Sequence, residues 1–446
     1  MMFKKKDSYN WRDYQRQLRR EYRWKNFLHK FPSVFFYTGC SALALVVVCL
    51  IGVWISTYIS QASVPPAEAR KQFVDFRERL AERTVLKNLG LDLAQLTDNF
   101  VLERGEERLT VKSSLDPSLQ KYIRRLLKGS QTLQAAVVVL DSNDGRVLAM
   151  ETYRKDGKNG DLCLKADYPA ASLFKIVAAG AALESAGYRP NKAVYYRGKR
   201  HTLYKSQLKK KTGRWTVKTS FRKAFASSIN PVFGKLGIYE LGQNTLADYS
   251  DRFLFNNTIP FDFPVEMSTI QVPEDNFGLA EIASGFNKKT LISPLHAALL
   301  ASVAANSGVM VSPWLIEHVK NESGEFIYQW KPTRLSSPIN RRVAKDLKSL
   351  MSDTVIYGTC RKSFRPLRRK RAFKKVEFGA KTGTINDEKD QFKYDWLAAY
   401  ALPEKGGNGI CISVLSIHGE KLGIRAGELG RYIINHYLSA KKRSKV

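Results

Sequence analysis

The sequence predicts a mixed α/β fold of the α+β kind, in which an antiparallel sheet is flanked by helices and carries an inserted all-α lobe, preceded by one N-terminal transmembrane helix. Three observations predict it. Short apolar runs typical of strands occur near residues 135–152 and again over 376–417. A largely helical region lies between them and begins near Ala171. An uncharged apolar run comes before both, over residues 34–59.

The apolar run reads VFFYTGCSALALVVVCLIGVWISTYI and exceeds the ~20 apolar residues that a spanning helix needs. A buried core helix is rarely this long and uniform, and the apolar part of a cleavable signal peptide is usually shorter, ~7–15 residues. The tail over residues 1–33 carries ten Lys and Arg residues against three acidic ones. By the positive-inside rule this tail is cytoplasmic. We therefore expect a single-pass protein of the cytoplasmic (inner) membrane, with everything after about residue 60 outside, on the periplasmic side.

Composition excludes several classes of function. Of the 446 residues 44% are apolar, which excludes wholesale disorder, and five cysteines cannot form a disulfide scaffold. The six histidines are dispersed and form no metal-binding motif, so we predict neither a metal nor a cofactor. The net charge of +32 suggests a polyanionic partner. Intracellular nucleic acid is not that partner for a domain outside the membrane.

Beyond the span, residues 60–107 have the composition of a short helical connector, and a two-lobed domain over 108–440 precedes a basic tail over 441–446. Asp144-Gly145 between two apolar runs predicts the first hairpin of the sheet. Further strands are predicted at the far end of the domain, followed by an amphipathic helix over 424–438. The sheet is thus expected to form from distant segments, with the helical region inserted between them.

Ser172 and Lys175 form a Ser-x-x-Lys pattern at the start of a strongly apolar helix. The spacing i, i+3 places both side chains on one helix face. A lysine among Ala, Ile, Val and Phe is desolvated, which lowers its pKa and makes a neutral amine available to accept the serine proton. The pattern recurs elsewhere in this lysine-rich chain, so alone it does not establish catalysis.

Two further patterns follow along the chain. Ser228-Ile229-Asn230 comes 56 residues after Ser172 and either relays protons or simply caps a helix. Lys381-Thr382-Gly383-Thr384 comes 153 residues after Ser228, at the end of an apolar strand. Gly383 at that place allows close approach of a ligand or of another backbone segment.

Together, and in this order, the three patterns resemble the motif set of penicillin-binding proteins and serine β-lactamases. The chain resembles the transpeptidase domain of a monofunctional, membrane-anchored penicillin-binding protein over about residues 108–440. The segments Tyr357-Gly358-Thr359 and Asp395-Trp396 also resemble landmarks of that family. The fold implied is that of the β-lactamase and transpeptidase superfamily.

The resemblance implies a role for each motif residue. Ser172 would be the acylated nucleophile and Lys175 its general base, while Ser228 and Lys381 would pass the proton to the leaving amine. Asn230 would hold the donor peptide backbone. Thr382, Gly383 and Thr384 would form the substrate-binding strand, with the two threonines on the terminal carboxylate. The implied reaction is peptidoglycan D,D-transpeptidation through a serine acyl-enzyme, with stem peptides as substrates and β-lactam antibiotics as inhibitors.

Three alternatives remain open. A D,D-carboxypeptidase uses water in place of the acceptor amine, and a β-lactamase or β-lactam sensor shares the fold. A protein of another class would be a non-catalytic, membrane-anchored scaffold that binds anionic wall polymers.

Two acid-free stretches hold much of the charge: twelve basic residues over 192–223 and nine over 361–375. They are either solvated loops or contacts with anionic lipids, wall polymers or other cell-wall synthesis proteins.

Overall fold

The computed structural model describes most of the chain after residue 85 and a short N-terminal segment. The described residues are 15–16, 18–25, 86–87, 89–91, 93, 96–105, 107–158, 160–210, 213–331, 333–404 and 409–443. The chain divides into two units, Met1–Glu78 and Arg79–Val446. The described part of the first unit is helical. Among the described residues no helix has the length and apolar character needed to cross a membrane; the predicted span over 34–59 lies outside them.

The second unit contains the strands and most of the helices. In chain order the strands are β1 (Asn99–Arg104), β2 (Glu107–Ser113), β3 (Gln134–Asp141), β4 (Val147–Arg154), β5 (Tyr168–Pro169), β6 (Ala193–Tyr196), β7 (Val217–Ser220), β8 (Leu291–Ile292), β9 (Met310–Val311), β10 (Ile316–Lys320), β11 (Phe326–Gln329), β12 (Arg334–Ser336), β13 (Val376–Asn386), β14 (Lys393–Pro403) and β15 (Ile410–His418).

The α-helices of this unit are α1 (Pro117–Lys128), α2 (Lys175–Glu184), α3 (Phe221–Ala226), α4 (Asn230–Leu236), α5 (Gly242–Arg252), α6 (Asn276–Ser284), α7 (Pro294–Ala305), α8 (Arg341–Ile356), α9 (Arg361–Arg369) and α10 (Ala426–Arg443). Short 3-10 turns cover Ala171–Phe174, Lys205–Leu208 and Arg371–Phe373, and a π turn covers Gly237–Leu241.

The central sheet is antiparallel with the order β13-β14-β15-β3-β4. Its strands come from both ends of the domain, as the sequence predicts, and the turn at Asp144-Gly145 joins β3 to β4. Side chains alternate between two apolar layers, as the period of two along a strand requires. In β3, Val137 and Val139 face the layer that contains α1, α9 and α10. The neighbouring Val138 faces the layer that contains α2 and α7.

The structure differs from the sequence-based expectation in two places. Residues 99–104 were expected to belong to a helical connector, but they form β1, which pairs with β2 in a four-stranded sheet of order β1-β2-β10-β11. The inserted lobe is not all-α, because it includes the two-stranded sheets β6–β7 and β5–β8. Strand β1 pairs with the adjacent β2 as a hairpin, and the mixed polar composition of these strands gives no clear strand pattern. Strands β5 and β6 pair with partners further along the chain, which local pattern does not reveal.

Strand β13 forms one edge of the central sheet and lies beside the 3-10 turn Ala171–Phe174. A hydrogen bond of 2.9 Å from Trp396 Nε1 to the Pro169 carbonyl ties β14 to the segment that leads into this turn. Gly383 permits the contact, because a Cβ at that position would lie 3.1 Å from Ala171 Cβ and 3.4 Å from Ser172 N. The two chain segments that carry the first and third motifs are therefore neighbours.

Candidate active site

Ser172 lies in the 3-10 turn and not in the first turn of the α-helix, which begins at Lys175. Lys175 is fully buried, and its Nζ donates a hydrogen bond of 2.9 Å to Ser172 Oγ. Ala171, immediately before the serine, has a φ of 48°. A non-glycine residue in this left-handed region costs energy and is usual at functional sites. The pair predicted from the Ser-x-x-Lys pattern is thus in direct contact.

Two further acceptors surround Lys175 Nζ. It donates a 2.8 Å hydrogen bond to Asn230 Oδ1 and a short one to the carbonyl of Ser284. Burial lowers the pKa of Lys175 well below its usual value, and the neighbouring Lys381 lowers it further. When Nζ loses a proton, its two remaining N–H groups still donate to Asn230 and Ser284, and its lone pair faces Ser172 Oγ and can accept the hydroxyl proton.

The Ser-x-Asn motif lies between α3 and α4. Ser228 has a φ of 52°, and both Ser228 and Asn230 are buried. Neither side chain caps α4. The N-cap residue of α4 is Ile229, which makes no side-chain hydrogen bond to the helix. Ser228 Oγ instead accepts a 3.0 Å hydrogen bond from Lys381 Nζ. The alternative in which this motif only caps a helix does not hold.

Lys381 is the second buried lysine of the site. Its Nζ also donates to its neighbour's carbonyl, Thr382 O, at 2.7 Å. Burial lowers the pKa of Lys381 to about 7. Among the described residues no carboxylate lies within 4 Å of either lysine ammonium. The hydroxyl of Ser228 therefore lies next to a group that exchanges protons near neutral pH.

The threonines of the third motif differ in their surroundings. Thr382 is half-buried, and its hydroxyl lies 2.6 Å from that of Thr359. Thr384 is exposed and donates a 3.1 Å hydrogen bond to Asp395 Oδ1. Burial opposes ionisation of Asp395, but the nearby His418, 3.9 Å away, and the hydrogen bonds from Arg425 outweigh burial and lower its pKa to about 2. Asp395 is thus a fixed anion that orients Thr384 at the mouth of the site.

A cavity of about 890 Å³ opens beside the exposed end of β13. Thr384, Ile385 and Asn386 line one side, and Glu281 and Phe286 of the α6 region line the other. Its size suits a peptide segment and not only a single amino acid. Within the described part of the chain, no cluster of His, Cys, Asp or Glu side chains is arranged to hold a metal ion.

Sequence reasoning missed two residues of the site, Ser284 and Gly285. Gly285 ends α6 in the left-handed conformation, with a φ of 61°. The turn directs the carbonyl of Ser284 at Lys175 and brings Gly285 against the nucleophile segment. A glycine after an apolar helix signals a helix end. Nothing in the local sequence indicates which side chain the last carbonyl faces.

The geometry is that of a serine acyltransferase. A serine hydroxyl is hydrogen-bonded to a buried lysine of lowered pKa, and a second serine–lysine pair and the edge strand β13 lie beside it. The family model for the penicillin binding protein transpeptidase domain matches residues 135–427. The chain belongs to this family. The predicted family and the predicted class of enzyme, a serine D,D-transpeptidase, are therefore confirmed.

Individual relatives are distant. The peptidoglycan D,D-transpeptidase PbpA of Mycolicibacterium smegmatis is 23% identical over 70% of this chain and 67% of its own length. Penicillin-binding protein 1A of Neisseria lactamica is 28% identical over 58% of this chain, which spans only 30% of that protein. The D,D-transpeptidase domain of a peptidoglycan glycosyltransferase from Eggerthella lenta has a TM-score of 0.61 at 20% identity, covering 74% of this chain and 83% of that one.

A second solved structure, penicillin-binding protein A of Mycobacterium tuberculosis as its imipenem acyl-enzyme, has a TM-score of 0.59 at 22% identity. The alignment covers 74% of this chain and 79% of that one. At these identities the structural likeness establishes the fold: a transpeptidase-like antiparallel sheet with flanking helices.

The lowered pKa of Lys175 predicts the pH dependence of acylation. Below this pKa the lysine carries a proton and cannot accept another, so the rate should fall about tenfold per pH unit on the acid side. Since burial holds the pKa of Lys175 well below the usual lysine value, the rate of labelling by a fluorescent penicillin should become level well before the pH at which an ordinary lysine loses its proton. A rate that still climbs between pH 9 and 10.5 would mean that the general base is an unshifted lysine.

Gly285 gives a second prediction. In Gly285→Ala the new Cβ would lie 2.0 Å from the Ala171 carbonyl oxygen. Relieving this overlap must displace Ser172, and a displacement of ~1 Å costs about 100-fold in rate. The matched control is Gly324→Ala, which has the same left-handed conformation with a φ of 81° but no atom within 4 Å of its Cβ. Equal penicillin labelling by the two variants would contradict the packing described here.

Proposed function

We propose that the chain crosslinks peptidoglycan as a D,D-transpeptidase through an acyl-enzyme on Ser172. Lys175 Nζ takes the hydroxyl proton and Oγ attacks the carbonyl of the D-Ala-D-Ala peptide bond. The bond to the terminal D-Ala breaks, and Ser228 with Lys381 supplies the proton that this leaving amine needs. The amine of a second stem peptide then attacks the ester and gives its proton to the Ser228–Lys381 pair, while the proton held by Lys175 returns to Oγ as Ser172 is released. The observation that carries the proposal is the hydrogen-bonded series from Ser172 through Lys175 to Asn230, beside the Ser228–Lys381 pair.

The comparisons support the substrate class and the inhibitors. PbpA of Mycolicibacterium smegmatis is described as a peptidoglycan D,D-transpeptidase. Penicillin-binding protein A of Mycobacterium tuberculosis forms acyl-enzymes with penicillin G, imipenem and ceftriaxone. We therefore propose stem peptides as substrates and β-lactams as covalent inhibitors of this chain. The backbone N–H groups of Ser172 and Thr384 are proposed to stabilise the oxyanion, and Thr382 and Thr384 to bind the terminal carboxylate.

Covalent labelling of the full chain by a fluorescent penicillin tests the nucleophile. The wild type should form a stable adduct, and Ser172→Ala should form none, because the ester oxygen is absent. The matched control is Ser185→Ala, at the end of the same helix, whose hydroxyl bonds to the Ala181 carbonyl and, within the described residues, to no other group. No adduct with the wild type, or an equal adduct with Ser172→Ala, would overturn the assignment.

Transfer is separated from hydrolysis by supplying a stem pentapeptide together with an amine acceptor. A crosslinked product, seen by mass spectrometry, supports the transpeptidase. Release of D-Ala with only the hydrolysed tetrapeptide would instead identify a D,D-carboxypeptidase.

We further propose that the span over 34–59 anchors the chain in the cytoplasmic membrane with the catalytic domain on the periplasmic side, and that the second basic stretch contacts anionic phospholipid. All nine basic residues over 361–375 are exposed, whereas Phe364, Leu367 and Phe373 are buried. None of the nine has an acidic partner within 4 Å in the described part of the chain. A membrane anchor that keeps the domain near the bilayer and a basic stretch without acidic partners among the described residues both favour binding to anionic phospholipid.

This contact predicts lipid-dependent protection from trypsin. In liposomes containing phosphatidylglycerol the reconstituted full chain should be cut more slowly at Lys374 and Lys375 than in neutral liposomes, and high salt should remove the difference. Neutralising Lys362, Arg365 and Arg369 to Gln should also remove it, whereas Lys209→Gln/Lys210→Gln in the other basic stretch should not. Equal cleavage rates in both kinds of liposome would contradict the contact.

A further inference from the structure

The basic segment between the first two motifs contains a loop that folds around an uncharged, buried side chain. The loop over 197–204 leaves β6 and leads into the 3-10 turn Lys205–Leu208. Its lysines and arginines are largely exposed, but Gln207 is only 5% exposed. A buried amide without hydrogen-bond partners would cost stability, so the partners of Gln207 explain its place.

The Gln207 amide forms four hydrogen bonds, all within this loop. Its Nε2 donates to the carbonyls of Arg197, at 2.9 Å, and Lys199, at 3.2 Å. Its Oε1 accepts from Thr202 Oγ1, at 3.1 Å, and from Tyr204 N, at 2.9 Å. Two donors and two acceptor positions are all that a carboxamide offers. Gln207 therefore connects both sides of the loop and fixes the path of the backbone between them.

Two leucines attach the loop to the helix that carries Asn230. Leu203 and Leu208 are buried and pack with Ala280 of α6. They also press on Gly234 of α4, where a Cβ would lie 2.9 Å from Leu203 and 2.7 Å from Leu208. The loop and α4 thus form one packed unit, and the loop backbone is held against the start of α4.

At that start the loop supplies two carbonyl acceptors to Asn230. The Arg200 carbonyl accepts from Asn230 N at 2.7 Å, and the His201 carbonyl accepts from Asn230 Nδ2 at 3.1 Å. The second bond decides which way the amide faces, because Nδ2 must point at the loop and Oδ1 then points away from it. Oδ1 is the atom that accepts from Lys175 Nζ.

We propose that Gln207 is a positioning residue for the acylation step, which holds the 197–204 loop so that Asn230 presents its carbonyl oxygen to Lys175. The proposal rests on the function proposed above and extends it to a residue outside the three motifs. It assigns a role to the basic segment that does not depend on its charge. Gln207 acts through the loop and Asn230, and it does not contact Ser172 or substrate.

The test is Gln207→Glu in the full chain. The substitution keeps the size of the side chain, but it removes both Nε2 donors and sets a carboxylate oxygen against the carbonyls of Arg197 and Lys199. The second-order rate of acylation by a fluorescent penicillin should fall by about tenfold or more, with Ser172 intact. The matched control is Gln243→Glu in α5, which makes the same chemical change at a half-buried amide whose Nε2 donates to the Val272 carbonyl. The control should be acylated at the wild-type rate.

A double-mutant cycle separates positioning from general destabilisation. In an Asn230→Ala background the loop no longer has a side chain to orient, so adding Gln207→Glu should not lower the acylation rate further. A purely structural role predicts that the two losses multiply, and this result would overturn the proposal. Acylation of Gln207→Glu at the wild-type rate would overturn it as well.

Thr202→Val serves as a second variant if Gln207→Glu does not fold. It removes a hydroxyl that lies 3.1 Å from both Gln207 Oε1 and the Lys199 carbonyl, while leaving the other three hydrogen bonds of Gln207. It should give a smaller loss of acylation rate that is also absent in the Asn230→Ala background. An unchanged rate for folded Thr202→Val would then decide against the proposal. If the wild type itself forms no adduct, the function proposed for Ser172 has failed, which is a separate outcome from unchanged labelling in the loop variants.

Discussion

The structure depends on the burial of two lysines that have no carboxylate to neutralise them. Moving an ammonium out of water is costly, so burial lowers the pKa of both side chains and makes the neutral amine accessible. Among the described residues, Lys175 and Lys381 are held by hydroxyl, amide and carbonyl oxygens and not by anions. A paired acid would keep each lysine protonated and would remove its capacity to act as a base. The absence of acidic partners within the described site is therefore a condition of its chemistry.

Four separate parts of the chain contribute the uncharged groups that surround the two lysines. The turn before α2 supplies Ser172 and Lys175, the start of α4 supplies Asn230, the end of α6 supplies the Ser284 carbonyl, and β13 supplies Lys381. Each part reaches the lysines through close backbone approach, made possible by Gly383 and Gly285 and by the left-handed Ala171 and Ser228. The energetic cost of these conformations is offset by the packing of the two apolar layers around the sheet.

The sequence predicted much of this arrangement. Motif spacing singled out Ser172, Lys175, Ser228, Asn230 and Lys381. The structure joins the first two and Asn230 in one hydrogen-bonded series and places Ser228 and Lys381 in a second hydrogen-bonded pair. The catalytic roles of these five, like the substrate-side roles of Thr382, Gly383 and Thr384, stay predictions. The central sheet, its hairpin and the interposed helices were also predictable, because apolar periodicity marks long buried elements. Ser284, Gly285 and Gln207 were not, since they act through backbone carbonyls or through a loop fold, and neither leaves a pattern of residue types. The strand at 193–196 was missed because its partner over 217–220 lies further along the chain. The strand at 99–104 pairs with the adjacent 107–113, but its mixed polar composition gives no clear strand pattern.

The way the sheet is assembled has a consequence for how the protein becomes active. Strand β15 pairs with β3, so that Ser413 lies opposite Val138, and nearly the whole domain separates the two in sequence. Contacts between such distant segments form slowly, because a long loop must close before they contribute stability. Ser172 lies on the early part of the chain and Lys381 on the late part, so the long loop between β3 and β15 must close before the two come together. During synthesis the motif residues should therefore come together only once the last strand has emerged, so that an incomplete chain has no assembled site.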